Sequence, residues 1–390
     1  MKRDALLVAA GAACGFAWGH DGFAWLLGLA AVVPLLWHRA GNRWAAGLVA
    51  LAFYLAASRG LPFGAGIFFA ATAPAWLGWG LWFAAGVVNA ALWCALWSKT
   101  ERRRLWALPA ILMLTALPPL GIVGWSNPLT AAGVLFPGLG FVGLVFFVGL
   151  VSASMASRWP VVAMLAGAAV LANLNAVLWP RTSAVENWTA ADTHFGKLAT
   201  GSTDFMGAYS RLVALKDMAQ GLPPGHVLVL PETLLGRFTG ITEFALADTT
   251  QELQKKGSTI LVGGEIPAGE RGQAMKNALV AIGADQGAQL VQRVPVPVGM
   301  WKPWAADTVL ADPLASGIGT VAGRKVAYLV CYEQLLVFPV LVSMVHSPDL
   351  IVGAANDWWA RETSIPAIQG QALDLWGRLF SVRVVRATNI

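Results

Sequence analysis

Among the first 180 residues only three are acidic and ten are basic, and long apolar stretches run between these thirteen charges. Residues 181–390 hold seventeen basic and eighteen acidic residues, the balance of an ordinary water-facing domain. A chain divided in this way does not fold as one evenly hydrated globule. Backbone polar groups placed in lipid must be satisfied within the segment itself, which favours helices. The first part therefore reads as a multi-pass α-helical membrane bundle and the second as a separate domain, with the boundary near residue 183. A length of 390 residues accommodates such a division. The formal net charge of +6 arises entirely in the apolar part. It is a topology signal, and no direct nucleic-acid binding is expected.

Seven apolar segments stand out: 5–19, 22–37, 44–58, 79–98, 105–124, 131–154 and 160–179. A crossing helix needs about 20 apolar residues. The last four segments reach that length, whereas the first three are short and rich in Gly and Ala. The stretch Phe63–Leu77 is also apolar, but Pro62, Gly64, Gly66 and Pro74 suggest an interfacial or re-entrant piece. Lys2, Arg3, Arg39, Arg43, the Lys99–Arg104 cluster and Arg158 flank one set of ends, and the loops Gly19–Gly22 and Gly124–Pro128 carry no Lys or Arg. Only Arg59 breaks the alternation. The positive-inside rule then predicts a cytoplasmic N-terminus, seven spans and a periplasmic C-terminal domain at a bacterial inner membrane. The first segment has no convincing cleavage site and reads as a span. Membrane lipids are the expected partners, with the Arg102–Arg104 run facing headgroups.

The second part alternates short apolar runs with polar or amphipathic segments, the signature of an α/β domain. Helices are predicted over 203–220, 243–256, 334–346 and 363–379. Strands are predicted over 226–231, 258–264, 277–283, 288–294, 325–331, 349–354 and 381–387. Two of these runs end in reactive groups: His226-Val-Leu-Val-Leu-Pro-Glu232 and Lys325-Val-Ala-Tyr-Leu-Val-Cys331-Tyr-Glu333. The other cysteines, Cys14 and Cys94, lie in the apolar segments, so Cys331 has no disulfide partner nearby. A thiol at one strand end with a carboxylate at another reads as a nucleophile and its base. A buried packing cysteine explains a lone thiol equally well. The five histidines show no metal-ligand spacing, and Gly263-Gly264-Glu265 lacks the downstream Gly-Lys-Ser/Thr of a phosphate loop. No cofactor or metal is expected.

With Glu232 and Cys331 placed, further stretches fall into order: Leu230-Pro-Glu-Thr233, Val296-Pro-Val-Gly299, Val330-Cys-Tyr-Glu333, Ala355-Asn-Asp-Trp358 and Arg386-Ala-Thr-Asn389. In these the chain resembles the carbon–nitrogen hydrolase (nitrilase) superfamily, and in particular its membrane branch, the apolipoprotein N-acyltransferases. Gly140-Phe-Val-Gly143 in the sixth segment fits that branch too. Within it, the chain is most similar to nitrilase-domain conjugal transfer proteins of agrobacterial-type plasmids. The resemblance implies an αββα sandwich and Glu–Lys–Cys catalysis, in which Glu232 takes the thiol proton and Cys331 forms a thioester. It also implies a phospholipid acyl donor and an amine or amide substrate. Glu333 would support the site by hydrogen bonding or charge.

The chain departs from the pattern at three places. The family lysine falls on Gln292, so Lys302 is the first substitute cation to consider and Arg293 the second. Met300 stands where the acyltransferases have glutamate. The sequence stops at Ile390, without that branch's closing strands and final transmembrane helix. These departures count against N-acyl transfer to lipoproteins. Asn356 and Asp357 read as loop-holding residues at a strand end. Trp358 and Trp359 read either as cleft lining or as interfacial anchors. Two functions follow: amide hydrolysis or acyl transfer through a cysteine thioester, or a non-catalytic assembly or mating factor that keeps the fold. A transporter fits less well, because the apolar segments hold almost no ionisable residues.

Overall fold

A computed structural model describes residues 2–70, 73–74, 76–178, 185–197, 205–269 and 272–390. The chain forms two compact units. One comprises Met1–Thr182 with Leu335–Phe338 and Ala360–Val382, and the other Ser183–Gln334, Pro339–Trp359 and Arg383–Ile390. The boundary expected near residue 183, and the start of the helix expected at 203, lie outside the described residues.

The first unit is helical. It runs α1 (Lys2–Phe16), a 3-10 stretch Ala24–Val32 leading into α2 (Val33–Arg39), α3 (Arg43–Ala57), α4 (Leu61–Phe68), α5 (Trp76–Ala95) and α6 (Glu101–Ala116). Short turns at Leu120–Ile122 and Pro128–Ala131 lead to α7 (Ala132–Leu135), α8 (Gly140–Met155) and α9 (Trp159–Leu178). Each of the seven apolar segments is helical at least in part, but most are broken. Pro34 opens a fresh helix after the 3-10 stretch, and Gly138 and Gly140, both left-handed, turn the chain before α8. Among the described residues, α5 and α9 are long and apolar enough to cross a bilayer. Counting the bent pairs, α3 with α4 at 51° and Pro128–Leu135 with α8 at 110°, as one span each raises the number to four.

Small residues let the helices approach closely. A Cβ at Gly11 or Gly15 of α1 would meet the carbonyl oxygens of Val49 and Phe53 on α3. Buried aromatics keep their polar ends bonded, as such groups must away from water. Trp37 Nε1 donates to the Trp93 carbonyl at 2.7 Å, and Trp93 Nε1 donates to Tyr54 Oη at 3.2 Å.

The second unit is built on two sheets. The five-stranded sheet contains β1 (Trp188–Ala190), β2 (Val227–Val229), β3 (Thr259–Ala268), β4 (Ala274–Gly283) and β5 (Gln289–Val291), in that order. The first three strands are parallel, and β4 and β5 are antiparallel additions. The second sheet orders β6 (Ile318–Val321), β7 (Arg324–Val330), β8 (Leu350–Asn356) and β9 (Arg383–Asn389), with β7, β8 and β9 parallel. Val229, Leu261 and Leu279 of the first sheet share a core with Val330, Val352 and Ala387 of the second. On the far side of the first sheet, Ile260 and Val262 pack with Leu215 and Leu253, from helices α10 (Phe205–Gly221) and α12 (Ala247–Lys256). Alternate side chains of β3 thus enter two different cores, and that is why the strand reads as an unbroken apolar run.

The predicted helix 243–256 divides at Leu246 into α11 (Gly240–Ala245) and α12. The one predicted over 334–346 becomes a 3-10 turn at Cys331–Leu335 followed by α13 (Val337–Met344). Strands β1 and β6 are additional to those read from sequence. The crossover from β8 to β9 is α14 (Ile365–Phe380), and it belongs wholly to the first unit. Gly133 of α7 lies against the Leu375 backbone, Gly143 against Leu379, and Gly19 against Ile368. Gln371 Nε2 donates to the His20 carbonyl and Arg378 Nη2 to Asn173 Oδ1, both at 2.6 Å.

Candidate active site

Glu232 lies three residues beyond the end of β2, and Cys331 directly follows β7. In both places the backbone turns sharply. Cys331 itself has φ of 49° and Thr233, next to Glu232, has φ of 60°. Left-handed backbone is disfavoured for residues with a side chain and marks a conformation that the surrounding fold enforces. Gly263 of β3 permits the first of these turns. A Cβ there would collide with Glu232 and Thr233 backbone atoms.

The two turns bring the reactive groups together. The Cys331 thiol and the Glu232 carboxyl share a hydrogen bond, and the backbone N–H of Asn356, at the end of β8, donates to both. Glu232 is 3% exposed and Cys331 5%. Asn277 on β4 donates through Nδ2 to Glu232 Oε1 and, at 2.8 Å, to Gln292 Oε1. Gln292 Nε2 in turn donates to the Val330 carbonyl, one residue before Cys331, at 2.9 Å. Burial disfavours the carboxylate and lifts the Glu232 pKa to about 7, against hydrogen bonds from Cys331, Asn277 and Asn356 that lower it. A carboxyl titrating near neutrality suits proton transfer in both directions. The thiol of Cys331 is pushed well above its usual range, first by burial and then by the charges of Glu232 and Asp357. Cys331 is therefore a neutral thiol at neutral pH, and its proton must pass to Glu232 as the sulfur attacks.

The two cations expected as substitutes for the family lysine are engaged elsewhere. Arg293, just beyond the end of β5, is 1% exposed. Its Nε pairs with Glu333 Oε1 at 3.2 Å, while its other nitrogens reach the carbonyls of Pro339 and Tyr328 and Ser343 Oγ. Lys302 Nζ pairs with Asp307 at 2.7 Å in an exposed loop. The charges acting on Cys331 are those of Glu232 and Asp357, and neither is a cation. Glu333, wholly buried, accepts from the backbone N–H groups of Arg293, Val294 and Val330 at 2.8, 3.2 and 2.9 Å. It thereby ties the end of β7 to the segment after β5, which fixes Cys331 and Gln292 relative to each other.

Asn356 Oδ1 accepts from Nδ2 of Asn389, its register partner on β9, at 2.8 Å, a bond between two strand ends and not the capping or turn bond expected of it. Asp357 is 1% exposed, and burial together with the charge of Glu232 raises its pKa to about 8, with Arg386 opposing. Trp358 stacks beneath Lys197 Nζ, 5.3 Å from the ring centre. Strand-end reasoning misses Asn277 and reads Asp357 only as a loop-holding residue. Asn277 lies within a strand, and nothing in its neighbours marks it. Among the described residues no cluster of His, Cys, Asp and Glu has the arrangement of a metal site.

Residues 272–378, which carry Asn277, Gln292, Cys331 and Asp357, match the family Carbon-nitrogen hydrolase. The C-terminal part of the chain thus has a nitrilase-like fold with a cysteine and a glutamate in contact. Over 377 residues the chain is 36% identical to the "Probable conjugal transfer protein TraB" of Sinorhizobium fredii (strain NBRC 101917 / NGR234), covering 95% of this chain and 94% of that protein. Over 413 residues it is 36% identical to the "Conjugal transfer protein TraB" of Agrobacterium fabrum (strain C58 / ATCC 33970), covering 99% and 93% respectively. The chain belongs to the TraB conjugal transfer protein family. Among solved structures, an amidase from Nesterenkonia sp. AN1 aligns with a TM-score of 0.37 and 15% identity, over 54% of this chain and 78% of that one.

Proposed function

We propose that the chain is a membrane-anchored carbon–nitrogen hydrolase-like enzyme that handles an acyl group on Cys331 and serves plasmid conjugal transfer. The observation that carries this reading is the buried hydrogen bond between the Cys331 thiol and the Glu232 carboxyl. As Sγ bonds to the acyl carbon, Glu232 takes the thiol proton. The bond to the leaving group breaks, and that group departs with the proton from Glu232, leaving a thioester. Water or an amine then attacks the thioester, Glu232 again carries the proton, and the thiol is restored. The conjugal role rests on the two TraB relatives.

Membrane anchoring in several passes is supported by the outward faces of the first unit. On α9, Leu171, Val177 and Leu178 are 68%, 74% and 62% exposed, an apolar surface that suits lipid. The basic residues at alternate ends favour a cytoplasmic N-terminus and a periplasmic second unit, with phospholipid as acyl donor and an amine or amide as the other substrate.

A second reading, a mating or assembly factor without turnover, is favoured by the neutral Gln292 beside Glu232. The two separate experimentally. An acyl-ester probe should label full-length protein and spare Cys331→Ala, and Cys331→Ser should abolish conjugation at unchanged protein level. Equal labelling of both proteins, or undiminished conjugation in Cys331→Ser, would remove the enzymatic reading.

A further inference from the structure

The acyl chemistry just described builds negative charge on the acyl oxygen, and the two cations considered for it, Arg293 and Lys302, are paired with Glu333 and Asp307 instead. Loss of one donor at such a position typically costs about 10²–10³ in rate. Among the described residues, one side chain near Cys331 has an unbonded buried polar atom suited to the task. Val330 pairs with Ala354 in the parallel register of β7 and β8, so Cys331 emerges beside the last residues of β8. Asn356 N–H touches both Cys331 and Glu232, and Asp357 is the next residue. Its backbone is fixed by donation to the Asn389 carbonyl at 2.8 Å. Its side chain is buried, yet Oδ1 has no hydrogen-bond partner among the described residues. A buried carboxyl oxygen left unbonded is costly, and such a group is retained where something else completes its bonding.

We propose that Asp357, as a neutral carboxylic acid, is a further catalytic residue that donates a hydrogen bond to the acyl oxygen of a Cys331-bound ester, thioester or amide substrate. The inference rests on the enzymatic reading of Cys331. A carboxylic acid kept neutral in an apolar site is an effective oxyanion donor. The charged groups acting on Asp357 are Glu232, which with burial holds its proton in place, and Arg386 on β9, which opposes it, while Cys331 is a neutral thiol. In the step itself the thiol proton goes to Glu232 and then to the leaving group. Asp357 keeps its own proton throughout and only strengthens its bond as charge grows on the oxygen.

The test uses full-length protein in detergent micelles with two reagents. p-Nitrophenyl acetate acylates Cys331 through an oxyanion and releases a leaving group that needs no proton. Iodoacetamide alkylates the same sulfur without forming an oxyanion. Asp357→Ala should slow acylation about 100-fold or more while alkylation stays within about threefold. Asp357→Asn, which keeps an N–H donor of similar size, should recover acylation to within about tenfold of the wild type and lose its decline above about pH 8. Equal acylation rates in the wild type and Asp357→Ala would overturn the role of Asp357 alone. A parallel fall in both reactions would also overturn it, in favour of a purely structural role. A wild-type Cys331 that is alkylated but never acylated would remove the enzymatic reading, and the role of Asp357 with it.

Discussion

Gln292→Lys tests whether Gln292 and Glu232 share one electrostatic environment. The two hydrogen bonds through Asn277 Nδ2, 2.5 Å to Glu232 and 2.8 Å to Gln292, place the two side-chain ends within about 5 Å of each other. A full charge at that separation, with an effective dielectric constant near 20, stabilises the Glu232 carboxylate by about 3 kcal/mol, or about 2 pH units. The cost of burying an ammonium takes back part of this. Glu232 now titrates at about 7. The rate of Cys331 alkylation by iodoacetamide should therefore climb through neutral pH in the wild type and at least one pH unit lower in Gln292→Lys. The sign follows from the chemistry: only the ionised carboxylate accepts the thiol proton, and a neighbouring cation brings ionisation to lower pH. A midpoint that stays at the wild-type value, or rises, in a variant with unchanged thermal unfolding would refute the argument.

Three further outcomes are expected. Glu232 is raised on folding from an ordinary carboxylate value to about 7, so its stabilising effect is complete below about pH 4 and is lost as pH rises through 7. This amounts to about 3 kcal/mol for a buried group. Unfolding measured from pH 5 to 9 should show falling stability, and Glu232→Gln should flatten the curve. Arg293→Met leaves the buried Glu333 carboxylate without its cation and should cost about 3–5 kcal/mol. The double variant Arg293→Met/Glu333→Leu should cost less, which thermal or protease-resistance measurements would reveal. Gly263→Ala pushes on the Glu232 backbone and should slow acylation of Cys331 at least tenfold while the protein stays folded, whereas a normal acylation rate would contradict the close packing seen there.

The parts of the fold legible in the sequence are those whose burial leaves a periodic mark. The strand cores around Val227–Val229, Ile260–Val262 and Val326–Val330 are continuous apolar runs because both faces are covered, and their ends disclosed Glu232 and Cys331. Strands β1 and β6 left no such mark. Each is an edge strand of three or four residues, partly exposed, and β6 contains a glycine. The Arg293–Glu333 pair was equally hidden. Charged residues are presumed to face water unless their partners are known, and these partners lie forty positions apart. Asp357 reads from sequence as an ordinary turn residue, and only its burial beside Glu232 and Cys331 distinguishes it. In the apolar part the spacing of hydrophobic segments exposed the helices but not their interruptions, which depend on single prolines and on left-handed glycines.

Helix α14 limits how this protein can be divided. A fragment starting near residue 184 would retain every strand of both sheets, yet it would carry a loose amphipathic helix whose apolar side had lost its neighbours. Ile368, Leu375 and Leu379, each packed against first-unit glycines, would be laid open to water at about 1.5–3 kcal/mol apiece. Such a truncation should aggregate, and exchanging the N-terminal half for an unrelated anchor should fail for the same reason. The partition that composition suggests is not one along which the polypeptide can be cut.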